Sequence, residues 1–126
     1  YDIVIIDAPC SSVGTIRRNP EIFFKSQKVN LDEIVSLQKQ LLVKATKILK
    51  KKGVILYMVC SFLPLETTEQ IKKFLKVNTN FQINKFKTKD QNEKFIDKNG
   101  YINIFPQVYR DFNIDGFFAA KLVKND

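Results

Sequence analysis

Residues 2–20 decide the fold, and they read DIVIIDAPCSSVGTIRRNP. The stretch begins with an apolar, mostly β-branched run from Ile3 to Ile6 and passes into a turn that holds Asp7, Pro9 and Cys10. Such a run is typical of a buried strand in an open α/β sheet, and strands of this kind deliver functional side chains to the carboxyl edge of the sheet, where ligands bind. The sequence therefore predicts a site after this strand, with Asp7 and Cys10 as its first candidates.

A helix and a second strand are predicted to follow. Residues from Lys28 to Gly53 have the pattern of a helix, and the apolar run from Val54 to Cys60 has the length of a strand. Asn30 can cap the helix together with Glu33, and Gly53 suits the left-handed conformation that ends it. The result is a β-α-β unit with parallel strands. The apolar spacing predicts that the helix buries one face, formed by Ile34, Leu37, Leu41, Ala45 and Ile48.

Downstream of Cys60 the pattern predicts five further segments. In chain order they are a helix from Pro64 to about Asn78, a strand from Phe81 to Phe86, a surface loop from Lys87 to Gly100, a short strand from Tyr101 to Phe105 and a last strand from Gly116 to Val123. The helix is expected to pack through apolar residues, which are Ile71, Phe74, Leu75 and Val77.

The composition fits a single domain of 126 residues with a basic surface. Lys and Arg number 21 against 13 Asp and Glu, which gives a net charge of +8. Such a surplus favours a polyanionic partner such as RNA or DNA, although many of these lysines also fit a solvated helix face. The chain has no histidine, so its own residues provide neither Ser-His-Asp nor Cys-His catalysis and no histidine metal site.

No segment of the sequence indicates a membrane or a secretory pathway. The longest apolar runs are far shorter than the roughly 20 residues that cross a bilayer. The first residues also lack the basic and apolar regions of a signal peptide. We therefore expect a protein without a membrane partner, in the reducing cytoplasm.

The two cysteines are the strongest candidates for chemistry. The positions of Cys10 and Cys60 match no zinc spacing and no Cys-x-x-Cys redox motif. If the two predicted strands are parallel neighbours, both thiols lie at the same edge of the sheet, within about ten ångströms of each other. Cys60 also precedes the second predicted helix, whose amino end would favour a thiolate. The alternative is that each cysteine is a small buried apolar residue, and a disulfide is not expected in a reducing compartment.

Five short segments together resemble a known family. They are DAPCS at residues 7–11, GTIRRNP at 14–20, LQ at 37–38, CS at 60–61 and DGFF at 115–118. In this order they are similar to the Fmu/Sun (RsmB-like) family of RNA cytosine-5 methyltransferases. The resemblance extends over nearly the whole chain, and residues 87–100 contribute least to it.

The resemblance implies a reaction that uses both thiols. Cys60 would be the nucleophile that adds to C6 of a flipped cytosine, so that C5 can accept a methyl group from S-adenosylmethionine. Cys10 would help to resolve the covalent adduct. Asp7 would lie between the cofactor and the cytosine and would contact both, and Pro9 is counted with Asp7 as a cofactor contact.

The resemblance also implies an RNA partner, with ribosomal RNA as the expected substrate. Arg17 and Arg18 would contact phosphates or flanking bases, and the alternative is that they only solvate their loop. Ser11 and Ser61 are interpreted as turn formers. Glu66, which remains from the family's usual acidic pair after a proline, is assigned to turn or cap chemistry.

One departure from the family pattern concerns the cofactor site. The only glycines are Gly14, Gly53, Gly100 and Gly116, so the glycine-rich cofactor turn of a Rossmann-like methyltransferase is missing. The predicted fold class is thus α/β, the carboxyl-terminal half of a class I S-adenosylmethionine-dependent methyltransferase, with residues 1–126 as a single partial catalytic domain. Either a second polypeptide completes the cofactor site, or the chain is a silent remnant that at most binds RNA through its basic loop.

Overall fold

The computed structural model describes residues 1–24 and 30–126. Strands β1 (Ile3–Asp7) and β2 (Val54–Val59) are parallel neighbours, with Ile3 opposite Val54 and Asp7 opposite Met58. Helix α1 (Leu31–Ile48) lies between them in sequence. The predicted β-α-β unit is confirmed.

The rest of the chain adds a second α-helix and five strands. These elements are α2 (Thr68–Val77), β3 (Phe81–Ile83), β4 (Ile102–Ile104), β5 (Gln107–Tyr109), β6 (Phe112–Ile114) and β7 (Phe117–Lys124). The main sheet has the order β1-β2-β7-β3, and β4 also pairs with β7. Because β7 is antiparallel to both β2 and β3, the strands β1, β2 and β3 run in one direction, as predicted.

The ends of α1 show one correct and one incorrect prediction. Asn30 caps the helix, since its side chain accepts a hydrogen bond from the Glu33 backbone N–H at 3.3 Å. Lys28, the predicted start of the helix, lies outside the described residues. The helix ends at Ile48 and not at Gly53, and the residue with a left-handed backbone is Lys52 (φ 61°). Gly53 is needed instead because there is no room for a side chain at this position, where a Cβ would lie 2.7 Å from the Leu49 side chain.

The buried face of α1 agrees only in part with the predicted one, since Ala45 is buried and Leu41 packs against the core as predicted. The buried residues are Gln38, Leu42 and Ala45, followed by Leu49 just after the helix, whereas Leu37 and Ile48, which were predicted to be buried, are exposed. The prediction failed because it treated Gln38 as a solvent-facing residue. In α2, Ile71 and Phe74 are buried as predicted, but Val77 is 78% exposed.

Two strand predictions need correction. Strand β3 stops at Ile83, because the chain then turns away and the Phe86 N–H bonds to the Gly100 carbonyl. The β5–β6 hairpin was not predicted. Its turn residues, Arg110 and Asp111, both have positive φ angles (48° and 64°), but they lack the Asn-Gly or Asp-Gly signal that marks such turns.

One face of the sheet is covered and the other is open. Core residues of α1 and α2 form one cluster with Ile55, Tyr57 and Val59 of β2 and with Phe118, Ala120 and Leu122 of β7. On the opposite face and at the β1 edge, Ile3 and Ile5 are each 62% exposed. In the described ranges, no helix is long and apolar enough to cross a membrane.

Candidate active site

The strand β1 delivers the first predicted site residues to the carboxyl edge of the sheet. Asp7 is the last residue of β1, and the Ala8 N–H bonds to the Met58 carbonyl at 2.9 Å, which extends the pairing with β2 by one residue. Asp7 and Pro9 are exposed, whereas Cys10 is half-buried. The two candidate cofactor contacts are therefore accessible to a ligand at the open edge of the sheet.

The strand β2 delivers the second thiol to the same place. Cys60 directly follows β2, and its Sγ lies 3.3 Å from the Sγ of Cys10. Both cysteines are free thiols and both are partly buried. The prediction that the parallel strands bring the two thiols together is confirmed.

The surroundings of the thiols keep Cys10 protonated. Burial, followed by the hydrogen bond with Cys60, raises the pKa of the Cys10 thiol to about 11. The Ser12 hydroxyl lies 3.9 Å from the Sγ of Cys10 and 3.6 Å from that of Cys60. Cys10 is therefore a neutral thiol at physiological pH, in contact with the second sulfur.

The predicted helix end beside Cys60 is not present. Helix α2 begins at Thr68, and a 3-10 turn, Pro64–Glu66, lies between it and Cys60. Helix α2 therefore begins four residues later than the predicted start at Pro64. This prediction was wrong.

Glu66 is a residue whose role the sequence did not indicate. Its side chain is fully buried, and its carboxylate accepts hydrogen bonds from the Ser11 N–H (2.7 Å), the Ser11 hydroxyl (2.6 Å) and the Ser61 hydroxyl. Gln38 of α1 donates to the same carboxylate at 3.2 Å. The interpretation of Ser11 and Ser61 as turn formers was incomplete. The available signal was their position directly after each cysteine, with a glutamate nearby in sequence.

Gly14 joins the two cysteine loops to the start of β7. Its N–H bonds to the Cys60 carbonyl at 3.0 Å, and its carbonyl accepts from the Gly116 N–H at 2.7 Å. A Cβ at Gly14 would lie 2.3 Å from the Gly116 oxygen and 2.8 Å from the Cys60 oxygen. Only glycine fits here, because two backbone carbonyls occupy the space of a side chain.

The two candidate RNA contacts are held by an acidic residue. Arg18 donates a hydrogen bond from Nε to Asp115 at 2.7 Å and forms an ion pair with the same carboxylate through Nη2 at 2.6 Å, and Arg17 reaches this carboxylate at 3.5 Å. The Arg18 guanidinium holds the pKa of Asp115 below its usual range, and Asp115 in turn raises the pKa of Arg18. The structure thus gives Arg17 and Arg18 a common partner on the segment that precedes β7.

The arrangement can support nucleophilic chemistry at sulfur. A pair of thiols in contact, one of them kept neutral, can attack an electrophilic carbon with one sulfur while the other remains protonated. Within the part of the chain that the structure describes, no group of three or more Cys, Asp or Glu side chains could hold a metal ion.

Comparison with known proteins identifies the family of this chain. The family model described as 16S rRNA methyltransferase RsmB/F matches residues 1–123. Ribosomal RNA small subunit methyltransferase B of Photorhabdus laumondii is 35% identical over 124 residues, which cover 98% of this chain and 26% of that protein. The protein of the same name from Pasteurella multocida is 41% identical over 83 residues, or 66% of this chain and 19% of that protein. The chain therefore spans about a quarter or less of the length of these curated relatives.

Solved structures show the same fold. The crystal structure of PH0851 superposes with a TM-score of 0.81 at 33% identity and covers 98% of this chain and 26% of that one. NSun6 from Pyrococcus horikoshii, solved with SFG, gives a TM-score of 0.72 at 21% identity, covering 97% of this chain and 29% of its own. The mixed α/β architecture is thus part of a Rossmann-like fold. On the family match and these similarities, the chain belongs to the RsmB/F family of 16S rRNA methyltransferases.

Proposed function

We propose that the chain is part of an enzyme that transfers a methyl group from S-adenosylmethionine to C5 of a cytosine in ribosomal RNA. The observation that carries the proposal is the contact of 3.3 Å between the Cys10 and Cys60 sulfurs at the carboxyl edge of two parallel strands. Membership in a family of rRNA methyltransferases supports an RNA substrate. We choose cytosine C5 as the methylated atom because this carbon can accept a methyl group only after a nucleophile has bonded to C6, and a thiol can be that nucleophile.

Cys60 is the proposed nucleophile. Its thiolate forms a bond to C6 of the flipped cytosine, and the electron pair of the C5–C6 double bond becomes available at C5. Once C5 carries the methyl group, a water molecule takes up the C5 proton, and the electrons of the C5–H bond re-form the C5–C6 double bond. The bond between C6 and the Cys60 sulfur breaks at the same time, and its electron pair stays on the sulfur. Cys10, whose pKa is raised to about 11, stays protonated beside the Cys60 sulfur and can assist its departure.

The residues at the β1 edge fit one side of a cofactor site. S-adenosylmethionine, when bound, supplies the methyl group as part of a positively charged sulfonium. The exposed carboxylate of Asp7 can attract that positive charge and can also accept hydrogen bonds from the cytosine amine, while Pro9 offers an apolar contact beside it.

A second stretch of polypeptide is proposed to complete this site. Strand β1 lies at the edge of the sheet, and on the face opposite the helices its side chains Ile3 and Ile5 are each 62% exposed. An apolar edge strand of this kind is normally covered. We therefore assign residues 1–126 to one part of a catalytic domain, with the rest of the cofactor site on a separate stretch.

The RNA contact is assigned to Arg17 and Arg18. Each guanidinium has five N–H donors, and Asp115 engages only some of them, so donors remain for phosphate oxygens. The net charge of +8 adds a general attraction to the RNA backbone. Because the reaction requires two reduced thiols, we place it in a reducing compartment such as the cytoplasm.

Two variants test the roles of the thiols in the methylating enzyme that contains this chain. With unmodified small-subunit rRNA, we expect Cys60→Ala to give neither product nor adduct. We expect Cys10→Ala to accumulate a protein–RNA adduct that survives a denaturing gel. Ser36→Ala, an exposed serine on α1, is the matched control and should behave as the unchanged protein. Absence of an adduct with Cys10→Ala would contradict the role of Cys10.

Calorimetry tests whether the cofactor site is shared. S-adenosylmethionine is titrated into the 126-residue chain alone and into the chain mixed with the polypeptide encoded by the adjoining upstream gene. Binding only in the mixture supports a site divided between two polypeptides. No binding in either sample would favour a silent remnant that has kept its thiols.

A further inference from the structure

Glu66 is a buried acid that the proposed reaction does not use. It lies in the Pro64–Glu66 turn after β2, and its side chain has no exposed surface. Among the described residues, neither a lysine nor an arginine pairs with it. A buried carboxylate without a cation is costly unless hydrogen bonds compensate for its lost hydration, so such a residue calls for a specific explanation.

The hydrogen bonds of Glu66 connect the two cysteine loops. Ser11, the residue after Cys10, donates both its N–H and its hydroxyl to the carboxylate at 2.7 and 2.6 Å. Ser61, the residue after Cys60, donates its hydroxyl to the same carboxylate. The two hydroxyls are also 3.4 Å apart. Each cysteine is thus followed directly by a serine that bonds to the same carboxylate, and Glu66 is the common anchor of the two loops.

The anchor is itself fixed from two sides. The Gln38 amide donates to the Pro9 carbonyl at 3.0 Å as well as to Glu66, so it holds the Cys10 loop a second time. The hydroxyl of the buried Tyr57 donates to the Glu66 backbone carbonyl at 2.8 Å. Hydrogen bonds in a fully satisfied buried network make the groups that they join rigid.

We propose that Glu66 is a positioning residue that holds the Cys10 and Cys60 thiols at their reacting separation through Ser11 and Ser61. The inference rests on the proposed function for the work that the thiols do. Glu66 does not touch the substrate, so its effect is exerted through the two loops. Small displacements of reacting groups cause large losses of rate, which explains why a buried acidic side chain is retained at this place.

The separation of the thiols can be measured without cofactor or RNA. Oxidised glutathione converts the two thiols to a Cys10–Cys60 disulfide and is itself reduced to two glutathione molecules. The equilibrium constant of this exchange reports the effective concentration of one thiol at the other, and mass spectrometry of alkylated samples gives the populations. The readout applies to the 126-residue chain as it is.

Ser61→Ala is the main variant, because it cuts the link to the Cys60 loop and leaves the Ser11 N–H bond to Glu66. We expect the effective concentration to fall about tenfold. Glu66→Gln keeps an oxygen that accepts from the Ser11 N–H, but its amide N–H groups make the Ser11 and Ser61 hydroxyls accept instead of donate. We therefore expect a smaller fall in the effective concentration for this variant. Glu66→Ala should show the largest fall. Ser36→Ala and Glu69→Gln, both at exposed positions, are the matched controls and should stay within about twofold of the unchanged chain.

Thermal unfolding of each variant separates positioning from mere stability. A lower effective concentration at a temperature where circular dichroism shows the variant folded supports the proposal. A lower melting temperature with an unchanged effective concentration in Ser61→Ala and Glu66→Gln would overturn it. In the methylating enzyme, Ser61→Ala should lower kcat and leave KM unchanged. If the variants lose thiol coupling while the unchanged methylating enzyme transfers no methyl group to cytosine C5 of rRNA, the proposed function is refuted and the positioning role stands.

Discussion

Replacement of Gly14 by alanine should disrupt the site and the fold together. The added Cβ would lie 2.3 Å from the Gly116 oxygen and 2.8 Å from the Cys60 oxygen, both of them backbone atoms that no side-chain rotation can move. Overpacking of this kind costs about 1–3 kcal/mol. If the segments separate, the loss of each of the two backbone hydrogen bonds that Gly14 makes would lower the stability by about 1 kcal/mol.

The expected loss in the free energy of unfolding is therefore about 3–5 kcal/mol, out of the roughly 5–15 kcal/mol typical of a domain. Urea unfolding followed by circular dichroism measures it directly. Because the displaced atoms include the Cys60 carbonyl, the Cys10–Cys60 disulfide should also form more slowly with an oxidant such as diamide.

Gly53→Ala is the matched control for this experiment. Its Cβ would first meet the Leu49 side chain at 2.7 Å, and Gly53 precedes β2, at the end of the strand opposite the thiols. The same Cβ would lie 2.9 Å from the Lys50 backbone oxygen, so Gly53→Ala should also lose about 1–3 kcal/mol to overpacking. It should leave disulfide formation unchanged, because none of these atoms belongs to the cysteine loops. A Gly14→Ala chain within about 0.5 kcal/mol of the unchanged chain would show that the reasoning about this junction is wrong.

Three further predictions concern individual side chains. The rate of Cys10 labelling by iodoacetamide, mapped by mass spectrometry, should rise with pH until about pH 11. Because the pKa of Cys10 is higher in the folded state than in the unfolded state, the free energy of unfolding should fall as the pH rises above about 8.5. A labelling rate that stops rising near pH 8.5 would contradict the raised pKa. Replacement of both Arg17 and Arg18 by glutamine should flatten the salt dependence of RNA binding by up to about two units of slope in a filter-binding assay, whereas an unchanged slope would remove both arginines from the RNA contact. Asn30→Ala should lower the free energy of unfolding by about 1 kcal/mol in urea, because it removes the cap of α1; equal stability would mean that the cap contributes nothing.

The meeting of the two thiols could be predicted from sequence because it depends on only two apolar runs. Once β1 and β2 are parallel neighbours, the residues that follow them must share one edge of the sheet. The contact of 3.3 Å joins Cys60, which directly follows β2, to Cys10, which lies in the turn after β1.

The support of that site could not be predicted, because it consists of polar residues in buried positions. Patterns of hydrophobicity assign Gln38 and Glu66 to the surface, yet both are fully buried and bonded to each other. The same assumption made the predicted buried face of α1 only partly correct. The β5–β6 hairpin was missed for a different reason, since Arg110 and Asp111 adopt a conformation that their types rarely choose.

The position of β7 has a consequence for the order in which this chain folds. Strand β7 is the last element in sequence, yet it lies between β2 and β3 and also pairs with β4. During synthesis, β1 and β2 can pair early, but β3 and β4 have no partner in the sheet until residues 117–124 leave the ribosome. Such distant pairings are slow to form. Gly116, which bonds to Gly14, arrives at the same late moment, so the thiol site should be completed only with the final strand.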